Sequence, residues 1–486
     1  MVAPQAFSRL VAAEIDGRCQ NIRYRQNQFH RLQAALVQQI DQIKNAIQID
    51  SGNAPEEVQA EICLALKEIR THYLSLDLET DLEQEYQVAH GKDNGGALRG
   101  TGIVYIIPAT HTLLFSVISA LSAAMAAGNC VILEVTNKNT TMSLAPLLRQ
   151  ILARALDADT FAISEERPDA AFLHKVLVVA QSDVSHVSGP SLISPTTART
   201  VAVVDRTAAV RAAAQSLVPA RFAFGGRSPY SPDVVLVQEF AMKEFVEAII
   251  HQSSKYLSGP AGEARQNAVH PRRSSPGLSF LDLAHQDASA TVLVAGSGWG
   301  IVEVHDRKSP LLQRKVDEKV LVLHPVTSLD DAIDFTSSLG TLAATYAFGS
   351  PAAAKYLTQF IDAYVSWINQ VPVEMLLGPA SPVNGPLSRG TRYPTNLFQV
   401  PRPQLVTETS NTRLVRRVLD QAGSQKSVAI WNEAMAPLPS TGQRPGQRIG
   451  FFEQGIITGG VVTLVSLVAT VSTLGYYTYT CVRKVA

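Results

Sequence analysis

Apolar residues recur at helical spacing near the start of the chain. Phe29, Leu32, Leu36, Ile40, Ile43 and Ile47 lie three or four apart and predict a helix that buries one face. Val58, Ile62, Ile69 and Tyr73 predict a second helix, and the turn residues of Ser51–Pro55 separate the two. The acidic, polar stretch from Asp77 to Gly96 reads as an excursion across the surface. The period then changes. Gly102–Ile107 is an unbroken apolar run of strand length, Leu113–Ala127 a helix of small and apolar residues, Asn129–Val135 a strand and Thr140–Ala155 a helix. Strands alternating with helices predict βαβ units and a parallel sheet. Val176–Ala180, Val201–Val204, Val234–Val237, Val320–Leu323 and Thr345–Phe348 extend the strand series. Helices are predicted over Ala241–Gln252 and Leu329–Leu339, and Asp362–Asn369 leads into a last strand. Gly259–Pro276, rich in Gly, Pro, Ser and Arg, reads as a surface loop, and Pro437–Gln447 as a spacer.

The last apolar run is of another kind. Ile456–Val482 carries no charge and exceeds the roughly 20 residues needed to cross a hydrocarbon core. Tyr476, Tyr477 and Tyr479 gather near its end, where amphipathic rings favour the headgroup layer, and Arg483 and Lys484 follow. Its Ser and Thr hydroxyls are expected to bond back onto the helix. Gly455 and Gly459 form a small-xxx-small pair suited to helix packing, a pattern common in such helices. The run predicts a single-pass anchor that holds a cytosolic body at a membrane, with the endoplasmic reticulum or peroxisome favoured.

Length and composition narrow the function classes. At 486 residues the chain exceeds one simple core. Lys plus Arg equals Asp plus Glu at 42 each, which gives no electrostatic footprint for nucleic acid. Cys19, Cys63, Cys130 and Cys481 are scattered, with neither metal-ligand spacing nor a disulfide framework. Acidic residues arrive too early in the N-terminal segment for a signal peptide.

Five segments, taken in order, resemble an aldehyde dehydrogenase over about Gly17 to Val406: Ala126–Val135, Gly225–Val237, Ile301–Lys315, Val326–Phe335 and Val365–Gln370. The subgroup resembled contains fatty aldehyde dehydrogenase, whose members also carry hydrophobic anchors. The fold this implies is α/β, aldehyde-dehydrogenase-like. It comprises N-terminal helices and a Rossmann-like cofactor-type domain over 1–205, a catalytic-type α/β domain over 206–380, and a return and oligomerisation segment over 381–436. A linker over 437–455 and the transmembrane helix over 456–482 complete it. The resemblance also implies a small β oligomerisation element, drawn from a β excursion near 78–98 and from Leu397–Val406, and a dimer.

The chemistry of that family requires a cysteine thiolate to attack the carbonyl, donors for the oxyanion, a glutamate to activate water and residues that grip NAD or NADP. Matched by position, the nucleophile falls on Pro229, which has neither a nucleophilic atom nor a backbone N–H. The oxyanion asparagine falls on His111 and the general base on Pro195. The ribose-binding lysine and glutamate fall on Glu134 and Asn137, and the nicotinamide-ribose glutamate on Lys315. The glycine-rich turn is replaced by a segment with Ser182–Ser188 where backbone must approach a pyrophosphate.

Ser228 and Ser231 flank Pro229, but a serine needs a base and none is evident nearby, so packing roles are expected. His111 and Ser228 are the best remaining catalytic candidates, with a packed or capping role the more common fate of such a histidine. Cys130 reads as a buried structural thiol and Arg227 as a salt-bridging residue. Gly296–Gly300 precedes a strand instead of opening a helix, which argues against a phosphate loop. The expectation is a membrane-anchored, dehydrogenase-like protein that has lost cofactor-dependent aldehyde oxidation, with no metal and no cofactor. Its partners would be the membrane, a hydrophobic small molecule, and a second copy or an active relative as homodimer or hetero-oligomer. Resemblance alone suggests a fungal-type biosynthetic pathway. The alternatives are an active NAD- or NADP-dependent dehydrogenase for a lipophilic aldehyde and a non-catalytic partner subunit.

Overall fold

A computed structural model describes residues 7–135, 142–184, 189–254, 278–296, 298–383, 385–420, 424–443 and 450–485. The chain divides into two compact units, Met1–Thr407 and Glu408–Ala486.

The first unit holds two α/β sheets and a small ribbon. Strand β1 (Leu98–Gly100) belongs to the ribbon. Strands β2 (Ile103–Ile107), β3 (Cys130–Glu134), β4 (Phe161–Ser164), β5 (Leu177–Ala180) and β6 (Ser191–Ile193) form an all-parallel sheet in the order β4-β3-β2-β5-β6. The second sheet is built from β7 (Thr200–Val204), β8 (Val234–Gln238), β9 (Ala290–Gly296), β10 (Trp299–Val304), β11 (Lys319–Val326), β12 (Ala344–Phe348) and β13 (Ser366–Ile368). Its order is β13-β12-β7-β8-β11-β10-β9, and every pairing is parallel except β10 with β9. Strand β14 (Gln399–Pro401) pairs antiparallel with β1. The inner strands β2, β3, β5, β7, β8 and β12 are buried at every position, as expected of a parallel sheet covered on both faces.

The Leu113–Ala126 helix follows β2 and is buried along its whole length. Such a helix has no polar face, so it belongs to a core, and its serines bond internally. Ser122 Oγ lies 2.7 Å from Ile118 O, and Ser116 Oγ donates to His111 O at 2.9 Å. Packed against this helix is the Pro55–Leu74 helix, opened by Pro55 at its first position.

Two expectations change and a third holds. The Phe29–Ile47 stripe is not one helix: Ile22–Gln38 and Ile40–Ser51 meet at Gln39, whose φ of −106° and ψ of 18° break the ladder while both halves keep the same buried face. The stretch expected as a β excursion near 78–98 is mostly helical. Asp77 accepts from the Glu79 and Thr80 amides and caps a helix over Leu78–Tyr86, leaving only Leu98–Gly100 as strand. Gly298, at φ 78°, lies between the end of β9 at Gly296 and the start of β10 at Trp299, so this glycine cluster precedes a strand as expected. The predicted loop Gly259–Pro276 lies outside the described residues, as do Asn137 and residues 185–188.

The turn between the Val210–Phe222 helix and β8 is fixed by a buried charge. Phe224, Gly225 and Gly226 take left-handed backbone in succession, and a Cβ at Gly226 would lie 2.6 Å from Glu318 O. Arg221, fully buried, donates to the carbonyls of Gly226, Pro232, Val316 and Glu318. Its counter-charge, Asp233, lies 3.9 Å away and accepts from the Thr200 and Val316 amides at 2.8 and 2.9 Å. Burial pulls the Arg221 pKa down to about 10, with Asp233 opposing the shift. Removing the carboxylate would leave a cation in the core. Asp233→Ala is therefore expected to lose about 3 to 5 kcal/mol, read as a fall in the urea midpoint. A midpoint within experimental scatter of the parent would show that the carbonyls alone hold Arg221.

Candidate functional site

The loop Gly225–Asp233 and the start of the Leu113–Ala126 helix contribute to one cluster of buried side chains, where the resemblance places a dehydrogenase active site. Pro229 is held in the loop by its carbonyl, which accepts from Thr200 Oγ1 at 2.8 Å. Ser228 is buried and its Oγ accepts from Tyr230 N at 3.2 Å. Ser231 Oγ donates to Ala220 O at 2.7 Å. These serines serve the turn. The next residue, Tyr230, was not singled out from the sequence, yet it is 2% exposed and braces the cluster. Its carbonyl accepts from Tyr346 OH at 2.8 Å, its hydroxyl accepts from Ser381 N at 2.9 Å, and its ring meets Trp367 edge-on at 5.8 Å.

On the helix side, Thr112 has φ 43° and ψ 61°, an uncommon conformation for a β-branched residue. It places Oγ1 to accept from Gly378 N at 2.6 Å. His111 Nε2 donates to Leu376 O at 2.9 Å, which fixes the proton on that nitrogen. Burial, reinforced by the charges of Arg227 and Arg392 and opposed by the Leu376 bond, lowers the His111 pKa to about 4, so the ring is neutral at pH 7. It keeps a small accessible surface although protein surrounds its ring.

Arg392 fills the space between these elements. Its guanidinium stands 5.6 Å from the Phe115 ring centroid and 5.8 Å from that of Tyr230, within cation–π range. It donates to the carbonyls of Leu377 at 2.9 Å, Glu374 at 3.3 Å and Pro379. Gly378 sits so close to Phe115 that a Cβ there would lie 2.5 Å from the ring. An adjacent cavity of about 50 Å³, lined by Pro195, Tyr230, Tyr364, Ser381 and Leu387, has room for a few waters.

The Pro55–Leu74 helix sends a polar stripe under the cluster. Glu61 accepts from Leu114 N at 3.1 Å and Phe115 N at 3.4 Å, so a carboxyl from a neighbouring helix caps the free amides. Glu68 accepts from Arg392 N at 2.8 Å, and His72 bridges Ser122 Oγ at 2.8 Å and Tyr393 O at 3.0 Å. Burial raises both Glu61 and Glu68 to about 7, against their backbone hydrogen bonds, and lowers His72 to about 4. Neither this stripe nor Arg392 was anticipated. The signal was present: Glu61, Glu68 and His72 fall on the same helical face as Val58, Ile62, Ala65 and Ile69.

The cofactor-side positions are also engaged internally. Glu134, at the C-terminal end of β3, accepts from Tyr105 OH at 2.8 Å and from both Arg167 Nε at 3.1 Å and Arg167 Nη2 at 2.9 Å. Lys315 Nζ donates to Ala198 O at 2.6 Å and lies 3.5 Å from Asp233. At the end of β5, Gln181 spends its amide on Ser116 O and Ala109 N. A dinucleotide ribose at Glu134 would compete with a bidentate ion pair, so these residues do not fit the implied NAD or NADP. Cys130 Sγ is buried 3.7 Å from Cys19 Sγ, in the N-terminal segment. Arg227 is exposed. Among the described residues no group of three His, Cys, Asp or Glu is placed to hold a metal.

Comparison with known proteins shows what the chain is similar to. No family model matches the chain. The mouse protein "Aldehyde dehydrogenase family 3 member B3" is 24% identical over 380 residues, 72% of this chain and 76% of that one. The coniferyl aldehyde dehydrogenase of Pseudomonas sp. is 22% identical over 387 residues, 72% of this chain and 78% of that one. The fold matches substrate-bound AldH of Staphylococcus aureus with a TM-score of 0.65 at 17% identity, covering 84% of this chain and 94% of that one. It matches glyceraldehyde-3-phosphate dehydrogenase GapN of Methanocaldococcus jannaschii, complexed with NADP, with a TM-score of 0.62 at 13% identity, covering 82% and 93%. The chain has the aldehyde dehydrogenase fold and a distant sequence likeness to aldehyde dehydrogenases. On that fold, the cluster above occupies the turn before β8 and the helix after β2.

The buried carboxyls set a pH dependence. Glu61 titrates at about 7 when folded against the usual 4.5, so between those values the folded chain holds the extra proton. Stability from this group is full below 4.5, declines as pH rises to about 7 and then levels. Glu61→Gln keeps an acceptor for the Leu114 and Phe115 amides and removes the titration. Its urea midpoint is expected to gain on the parent steadily from about pH 5 to about pH 7.5. His72 and Glu68 act alike in both proteins and cancel in the difference. Parallel midpoint curves would exclude Glu61 as the titrating group.

Proposed function

We propose that this protein is a membrane-anchored aldehyde-dehydrogenase-like protein that has lost ordinary NAD(P)-dependent aldehyde oxidation and binds, or assists a relative that acts on, a hydrophobic metabolite. The observation that carries the reading is Pro229 itself, at the loop position where the resemblance expects the nucleophile. The loop position has no thiol, and the Arg392 guanidinium packs between the rings of Phe115 and Tyr230, the residue next to Pro229. The ion pair of Glu134 with Arg167 supports the same reading on the cofactor side.

The apolar helix supports the membrane part. Glu453–Tyr476 provides 24 residues of high mean hydropathy, 1.9, within the longer helix Phe451–Val485. That span is about 36 Å long at 1.5 Å per residue, enough for a hydrocarbon core of about 30 Å. Five of its hydroxyls are satisfied within the helix: Thr458, Thr463, Ser466, Thr470 and Thr473 each bond a carbonyl four residues back at 2.7 or 2.8 Å. A lipophilic metabolite would partition into the same bilayer. A second reading, an active dehydrogenase for such an aldehyde, is favoured by the relatives being aldehyde dehydrogenases by name.

The full chain in detergent or nanodiscs, incubated with NAD or NADP and medium- or long-chain aldehydes, is expected to form no reduced cofactor above background. Pro229→Cys is expected to stay equally silent, because a thiol alone reopens neither the crevice nor the cofactor site. Cofactor-dependent turnover by the parent chain would establish the second reading in place of the first.

A further inference from the structure

The second unit carries two helices ahead of the apolar one, Ser410–Asp420 and Gln425–Met435, in contact with each other. On the first, Leu414, Val415, Val418 and Leu419 share one face, while Arg413, Arg416 and Arg417 stand on the other. On the second, Val428, Trp431 and Met435 recur at intervals of three and four. Val418 and Ile430 are the partly buried apolar residues of the pair. The rest of the apolar face lies open: Leu419 is 71% exposed, Trp431 65% and Met435 68%. Water is a poor environment for such a face, so something covers it.

Charge and chain length select the occupant. The whole chain is electrically balanced, yet from Arg413 to Arg448 six basic residues stand against two acidic ones. One of the arginines, Arg416, also meets Glu408 at 2.8 Å. Met435 and Phe451 are the ends of a 15-residue connection. Fully extended, that connection reaches about 50 Å. A helix pair tied to a membrane-spanning helix by such a leash samples the bilayer surface continuously. A strongly segregated helix, with arginines on one face and Leu, Val or Trp on the other, suits the plane between headgroups and acyl chains.

We propose that the Ser410–Met435 helix pair lies on the membrane surface beside the anchor, with Leu419, Trp431 and Met435 in the acyl boundary and Arg413, Arg416 and Arg417 on anionic phospholipid headgroups. The inference rests on the anchor reading above. It adds a second, lipid-selective contact that a spanning helix alone does not supply. This contact restrains the body near the bilayer and makes its attachment depend on lipid charge.

Amide hydrogen exchange of the full chain in nanodiscs tests it, in phosphatidylcholine alone and in phosphatidylcholine with phosphatidylserine. Peptides from residues 410–435 are expected to exchange about tenfold more slowly in the anionic bilayer. The combined variant Arg413→Gln, Arg416→Gln and Arg417→Gln is expected to abolish that difference. Leu419→Asp with Trp431→Asp is expected to raise exchange in both bilayers and leaves the arginines in place. Equal, rapid exchange in both bilayers would overturn the proposal. Protection that is equal in both bilayers and persists in detergent micelles would also overturn it, by showing that protein covers the face. Alkaline carbonate extraction checks the anchor separately: release of the chain from membranes would defeat the anchor reading, whereas retention with unprotected 410–435 peptides defeats this inference alone.

Discussion

A guanidinium with no access to water organises the centre of the first unit. Arg221 gathers four backbone carbonyls from three stretches of chain and balances its charge on Asp233. The ion is costly to bury, so every partner must be in place together. That requirement fixes the left-handed turn at Phe224–Gly226, delivers Pro229 and Tyr230 to the crevice and ties β8 to the approach of β11. Lys315 joins the same carboxylate, which gives a packing explanation for a residue the resemblance would place beside a nicotinamide ribose.

A second buried cation, Arg392, organises the cluster between the Gly225–Asp233 loop and the helix after β2. It is held by carbonyls and two aromatic faces, with Glu68 binding its backbone amide and a raised carboxyl pKa lowering the charge that side chain carries. Among the described residues of the Gly225–Asp233 loop no hydroxyl is hydrogen-bonded to a side-chain base. The neutral His111 has its Nε2 proton committed to Leu376 O, and Ser228 lies in its own turn. Glu134 is likewise engaged internally, its carboxylate satisfied by Arg167 and Tyr105.

Much of the fold was legible because its signals are local. The runs Ile103–Ile107, Cys130–Glu134 and Val234–Gln238 are apolar at nearly every position, which a doubly covered parallel strand demands, and their order carried the family resemblance. The break at Gln39 was not legible, because both halves keep one apolar stripe and only the backbone angles differ. The Leu78–Tyr86 helix was missed because its stability comes from the Asp77 cap and helix-forming acids, with no buried face to create a periodic signal. The site was legible only in its gaps. The resemblance alone marks Pro229 as a position without a thiol, whereas the surrounding cluster draws on Arg392, far along the chain, and on Glu61 and Glu68 from a helix read for its apolar positions alone. Those contacts depend on tertiary placement, which no spacing within one element reveals.

The polar stripe on the Pro55–Leu74 helix links these parts energetically. Glu61 caps the helix that begins at the crevice, Glu68 holds Arg392 and His72 anchors Tyr393 through its carbonyl. Each group is buried far enough to be driven toward its neutral form, the carboxyls upward and the imidazole downward. A row of neutral, hydrogen-bonded groups costs less in the core than a row of charges and still specifies register, since each has a partner in a different segment. The helix thereby joins the N-terminal region, the helix after β2 and the return segment near Arg392 into one hydrogen-bonded body. Each of these bonds crosses from one segment to another, so the stripe sets how the Pro55–Leu74 helix seats against the helix after β2 and the residues around Arg392.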